Sequence, residues 1–192
     1  FPQTYNYLNR FREVLETRSG YEKYLEPQGE PFYALYDIGP YTFAPHKVIW
    51  LRISNTLKAA VASGDYAPDN GVTFVSFDNE VEAHYFCAAF NSSPSKFAIR
   101  AFSVAGTGTW GSPHILRHIH YPSFDASDKI QRALASLSQK AHALAAEIHA
   151  EDTSDAAREK AQAKLREVEE EVDERAAELW GQVVVADPDN RD

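Results

Sequence analysis

The last third of the chain carries the clearest pattern of apolar and polar positions. Apolar residues in 126–149 recur at intervals of four and three, and 155–180 repeats the pattern. This spacing places the apolar side chains along one side of an α-helix. We predict two long amphipathic helices joined by a turn at 150–155. Their apolar stripes consist of Ile130, Leu134, Leu137, Ala141, Leu144 and Ile148, and of Ala161, Leu165, Val168, Val172, Ala176 and Leu179.

Three further helices are predicted upstream. Residues 3–18 place apolar side chains at helical spacing and stop near a glycine. Asn79 with Glu82 resembles a capping box, which predicts a helix that ends before Ser92. A third helix is expected over 93–103, where Ser93 suits the N-cap and a proline suits the first turn.

Strand-like patterns occupy the middle of the chain. Residues 32–53 are rich in β-branched and aromatic residues, and their glycine and prolines predict two or three separate strands. The segments 72–77 and 115–124 also predict strands, whereas 57–63 fits either a helix or a strand.

These elements together predict an α+β fold. We expect a mixed or antiparallel sheet with packed helices, followed by the C-terminal pair of long amphipathic helices. The predicted division is an α+β domain over 1–124 and a helical hairpin extension over 125–192.

Composition narrows the class and the location of the protein. No apolar run is long enough for a transmembrane helix, and the N-terminus lacks the features of a signal peptide. The single cysteine argues against a disulfide scaffold and fits a reducing compartment. We therefore expect a cytoplasmic protein without a membrane partner. The abrupt start at Phe1 suggests a fragment of a larger protein.

The charge is unevenly distributed along the chain. Residues 1–124 hold 10 Lys/Arg and 11 Asp/Glu, whereas 125–192 hold 9 and 17, so most of the net charge of −9 lies in the C-terminal helices. The first part is close to neutral, which leaves room for a locally basic face.

The glycine-rich stretch GTGTWG at 106–111 has the G-x-G-x-x-G spacing of a dinucleotide-binding motif but not the secondary structure around it. That fingerprint requires a strand before it and a helix after it, and the predicted order here is reversed. We interpret it instead as a long polar loop.

The chain contains no self-contained catalytic constellation. His118 and His120 form an H-x-H pair without a third ligand nearby, which is more typical of sheet histidines than of a metal site. His84 and Cys87 lie three residues apart, but the surroundings of Cys87 favour a small buried side chain over a nucleophile. Binding is the favoured class of function, and a small hydrolase built on these two residues is a minor alternative.

Several stretches, in order, resemble one family. They are FPQTYNYLNRF, FYALYDIGPYTFAPHKVIW, FVSFDNEVEAHYFCAAFNSS, HILRHIHYPSFD and EVDERAAELWG, and YTFAPHKVIW and DNEVEAHYFCAAFNSS are the most specific pieces. The chain resembles, over nearly its whole length, the C-terminal target-recognition region of bacterial adenine-specific (N6) DNA methyltransferases, including restriction–modification enzymes.

The resemblance implies a division of labour. The family's N/D-P-P-Y/F motif is absent, since ADPDN lacks the second proline and the aromatic residue, and no glycine motif follows a strand. This chain would therefore read double-stranded DNA, and an upstream methyltransferase domain of the same polypeptide would bind S-adenosylmethionine. No cofactor or metal is expected in the chain itself.

The resemblance also implies where DNA would contact the chain. The strand that carries Lys47, Trp50 and Arg52 is expected to face a groove, although Trp50 also fits a core position. The glycine loop is expected to approach the DNA. The alternative is that its tryptophan folds back and packs against the loop itself. The expected contacts in and beside this loop are Ser103, Thr107, Thr109, Trp110 and His114.

One alternative leaves DNA out. The two C-terminal amphipathic helices would then dimerise or dock a partner protein through their apolar stripes. Their acidic character suits contact with protein better than contact with phosphate.

Overall fold

The computed structural model describes residues 1–102 and 119–186, with side chains as far as 181. The chain forms two compact units, Phe1–Tyr41 and Thr42–Asp192. The boundary predicted between 124 and 125 falls inside the second unit.

The first unit is built from short helical segments. Helix α1 spans Pro2–Asn9 and α2 spans Arg12–Glu16, followed by a π-helical turn at Tyr21–Leu25 and a 3-10 turn at Glu26–Gln28. The single helix predicted over 3–18 is therefore wrong. It breaks after Asn9, where the N–H groups of Arg10 and Phe11 donate to carbonyls three residues earlier, at 3.2 and 2.9 Å, and Phe11 leaves the helical conformation with φ −112° and ψ 14°.

The second unit contains a three-stranded antiparallel sheet. A 3-10 turn at Pro40–Phe43 leads to β1 (His46–Leu51), which lies between β2 (Ala59–Ser63) and β3 (Val72–Phe77). The pairing places Trp50 opposite Ala59 on one side and Thr73 on the other. The α+β class and the antiparallel sheet are confirmed. Residues 32–45 form turns instead of the predicted additional strands.

Helix α3 (Glu80–Asn91) lies at the centre of this unit. The Asn79 side chain caps it by accepting from the N–H groups of Val81 and Glu82, so the predicted start is confirmed. One face of α3 packs on the sheet, and the other packs on the C-terminal helices. The sheet-side cluster contains Val48, Trp50, Leu57, Ala83, Cys87, Phe90 and Ile99.

The C-terminal helices form the predicted pair. Helix α5 spans Lys129–His149 and α6 spans Asp155–Ala186. Their apolar stripes pack into one cluster with Tyr85, Ala88 and Ala89 of α3. Helix periodicity alone therefore located the largest part of the core.

The segment between α4 (Ser93–Phe102) and α5 differs from expectation. Within the predicted strand 115–124, the described residues 119–124 form no strand. Their polar groups bond to helices: the carbonyl of Pro122 accepts from the Tyr85 hydroxyl at 2.9 Å, and that of Ser123 accepts from Gln131 Nε2 at 3.3 Å. Hydrogen bonds to helices α3 and α5 thus take the place of the strand pairing that the local pattern predicted.

Candidate functional site

One end of the sheet presents polar and cationic side chains to solvent. Arg52 directly follows β1 and is exposed. Its Nη1 donates to Asn70 Oδ1 at 2.6 Å, and its backbone N–H donates to the carbonyl of Gly71 at 3.2 Å. The guanidinium is therefore held beside the start of β3.

The loop from 52 to 58 completes this end of the sheet. The Ser54 hydroxyl donates to the carbonyl of Thr56 at 2.7 Å and accepts from its N–H at 3.1 Å, which forms a tight turn. Leu57 is buried and anchors the loop, while Asn55 and Lys58 are exposed. We call the exposed residues Arg52, Asn55, Lys58 and Asn70 the Arg52 surface.

Helix α4 starts at the same end of the sheet. Asn91, the last residue of α3, accepts from the N–H of Ala59 at 2.9 Å and donates to its carbonyl at 2.8 Å. Ile99 of α4 lies in the same apolar cluster as Leu57. Helix α4, which carries the cations Lys96 and Arg100, thus shares an apolar cluster with the loop that follows β1.

Two sequence segments that contribute to this end of the sheet lack acidic residues. Segments 38–64 and 83–124 contain no Asp or Glu, although the whole chain carries 28. Asp69 is the nearest carboxylate in sequence to Asn70, and its Oδ1 accepts from the N–H of Gly71 at 2.8 Å. Such a separation of charges favours contact with a polyanion.

The predicted DNA-contacting residues have different positions in the structure. Arg52 is exposed, as a contact residue requires. Trp50 is 3% exposed and packs on Phe90 with ring centroids 4.7 Å apart, and Lys47 is 1% exposed with Nζ donating to the carbonyl of Ala44 at 2.5 Å. Neither Lys47 nor Trp50 belongs to the accessible surface. Trp50 lies on the β1 face that packs into the core, whereas Lys47 lies on the other face and is buried with its ammonium group bonded to Ala44. Ser103, Thr107, Thr109, Trp110 and His114 lie outside the described residues.

The sequence did not predict three residues of the Arg52 surface as contact residues. Asn55, Lys58 and Asn70 lie on loops without a motif, and Asn70 meets Arg52 only because β1 pairs with β3. The absence of acidic residues from 38 to 64 was the signal available in the sequence.

A second polar cluster lies between α3, α5 and the outer edge of β2. His84 Nδ1 is 2.9 Å from Ser138 Oγ, and the His84 and His142 rings meet edge to face at 5.0 Å. His142 Nε2 accepts from the N–H of Val61 at 2.8 Å, while its Nδ1 lies 2.7 Å from the Ser138 carbonyl. These bonds require a neutral His142 with its proton on Nδ1.

Burial has the largest effect on the pKa of His84. Burial, followed by the neighbouring His142, lowers the pKa of His84 from 6.5 to about 4, and Glu80 opposes this shift. Together with Asn91, the cluster occupies the backbone groups of Ala59 and Val61 that face away from β1. The edge strand is thus covered by side chains, which protects it from pairing with another chain.

Cys87 has the properties of a structural residue. It is 1% exposed, and burial raises the pKa of its thiol to about 12. Its Sγ lies 3.5 Å from the carbonyl of Ala59, and Asn91 Nδ2 donates to it at 3.5 Å. A thiol kept protonated and away from solvent is a poor nucleophile.

Within 1–102 and 119–186, no group of three or more His, Cys, Asp or Glu side chains is arranged to hold a metal ion. No described helix is both long and apolar enough to cross a membrane. Comparison with protein-family models, curated proteins and solved structures gives no match to this chain.

Proposed function

We propose that this chain is the DNA sequence-recognition domain of an adenine-N6 DNA methyltransferase of the restriction–modification type. The observation that carries this proposal is the Arg52 surface, where two cations and two amides are exposed and Asp69 is the one carboxylate beside them in sequence. The resemblance of the chain to the target-recognition regions of such enzymes supports the same class.

The side chains of the Arg52 surface suit DNA recognition. Arginine forms paired hydrogen bonds with guanine, and asparagine does so with adenine. Arg52 and Asn70 already bond to each other, so the pair presents a fixed arrangement of donors to a base edge. Lys58 supplies a cation for a phosphate, which sets register without reading sequence.

In this proposal chemistry takes place elsewhere in the enzyme. An upstream methyltransferase domain binds S-adenosylmethionine and transfers the methyl group to adenine, while this chain holds the duplex. The protein acts in the bacterial cytoplasm, where its DNA substrate lies.

Binding to duplex DNA tests the proposal directly. Arg52→Ala and Lys58→Ala are measured by fluorescence anisotropy on a pool of labelled duplexes, with Lys160→Ala as the control. Lys160 is an exposed cation on the acidic helix α6. We expect wild-type affinity to fall by orders of magnitude between about 50 and 200 mM salt. We also expect the Lys58 variant to lower the salt slope by about one and the control to leave it unchanged.

Sequence specificity is tested by selecting duplexes from the same pool. We expect wild type to enrich a defined adenine-containing site and Arg52→Ala to lose discrimination at one position of that site. Equal binding by wild type and both variants, or no binding at the lowest salt, contradicts the proposal.

The alternative functions have less support. The apolar stripes of α5 and α6 pack against each other and against α3, so a dimer through these stripes would have to open the core. A thiol hydrolase is disfavoured because His84 bonds to Ser138 and Cys87 is buried.

A further inference from the structure

Helix α4 exposes an aromatic ring to solvent. Phe97 is 77% exposed, whereas Ser95 and Ile99 on the opposite face of the helix are buried. Among the described residues the Phe97 ring has no aromatic partner. An exposed ring of this size leaves a large apolar area in contact with water.

Hydrogen bonds anchor the first turn of the helix that carries this ring. The N–H and hydroxyl of Ser93, at the start of α4, both donate to the Asp173 carboxylate on α6. On the buried side, the Ser95 hydroxyl bonds to the Tyr121 hydroxyl. Phe97 therefore directly follows a helical turn that is bonded to other parts of the second unit.

Cations lie on both sides of the ring along the helix. Lys96 precedes Phe97, and Arg100 follows it by one turn on the same exposed face. The sequence from 83 to 124 contains no acidic residue, and the Asp173 carboxylate at the start of α4 is bonded to Ser93. An apolar ring between two cations matches a base between its flanking phosphates, since base faces are apolar and the backbone is anionic.

We propose that Phe97 stacks on an unstacked base of the bound DNA, while Lys96 and Arg100 contact the phosphates on either side. This inference rests on the proposed function. It assigns to Phe97 the contact with a base that no longer stacks on its neighbour in the duplex. Stacking recognises the base face, so it is independent of base identity.

The test compares an intact duplex with the same duplex carrying one bulged adenine. Affinity for the intact duplex reports the proposed function, and the ratio of the two affinities reports the stacking. We expect wild type to prefer the bulged duplex by about 5- to 150-fold, the range of one aromatic–base stack. Phe97→Ala reduces the preference to about one, and Phe97→Trp keeps it.

Tyr66→Ala is the matched control. Tyr66 is an aromatic residue that is 62% exposed, but it lies in a loop between Asp65 and Asp69. We expect this variant to keep the preference. If wild type binds the intact duplex but shows no preference, or if Phe97→Ala keeps it, the inference is overturned while the proposed function stands. If wild type binds neither duplex, both fail.

Discussion

Acidification is expected to weaken the fold through His84. This imidazole is buried, bonds to Ser138 Oγ and faces the ring of His142, so its protonated form is disfavoured in the folded chain. The pKa of His84 is lowered from 6.5 to about 4. The unfolded chain therefore binds a proton that the folded chain excludes, and stability decreases as pH falls through this window.

The size of the effect follows from the shift. Well above pH 6.5 neither state is protonated at His84, so this residue causes no pH dependence there. At pH 5 the loss is about 2 kcal/mol, and it approaches about 3 kcal/mol below pH 4, since one pKa unit corresponds to about 1.4 kcal/mol. This loss is a large part of the stability of a typical domain.

Urea unfolding at pH 7.5 and pH 5 measures the loss. His84→Gln keeps a hydrogen-bonding side chain but does not titrate, and the exposed His149→Gln on α5 is the control. We expect the stability difference between the two pH values to be about 2 kcal/mol smaller in His84→Gln than in wild type. An identical difference in His84→Gln and wild type would refute the reasoning.

Two other buried groups give direct predictions. Asn91→Leu removes the side chain that bonds to both backbone groups of Ala59. We expect the free energy of unfolding, measured in urea, to fall by about 1–3 kcal/mol for each buried group left unpaired. An unchanged unfolding midpoint contradicts this. Cys87 is expected to resist iodoacetamide at pH 8 in native buffer and to react readily in urea, because it is 1% exposed and burial raises its pKa to about 12; rapid labelling of the native chain contradicts this role.

The elements predicted most accurately are those specified by local pattern. The stripes of α5 and α6 and the Asn79 cap of α3 depend on residues three or four apart, and both predictions are confirmed. The adjacent cap was shifted by one residue: α4 begins at Ser93, so Ser92 occupies the N-cap, where its Oγ accepts from the N–H of Ser95 at 3.4 Å.

The wrong predictions concern residues whose partners are distant in sequence. Segment 57–63 was ambiguous, and its strand is held by Asn91 and His142, which lie on α3 and α5. Alternation along β1 placed Val48, Trp50 and Arg52 on one face but did not specify which face packs on a helix. Arg52 is exposed as expected, whereas its partner Asn70 was missed because the two residues meet only through the pairing of β1 with β3.

The central claim is that duplex DNA contacts the Arg52 surface and α4. The most direct test follows backbone amide chemical shifts of the full chain while duplex DNA is added. The account predicts that the largest changes occur in 52–58, 70–71 and 93–101, and that they disappear at high salt. Changes concentrated on α6, or the absence of changes at low salt, would contradict it.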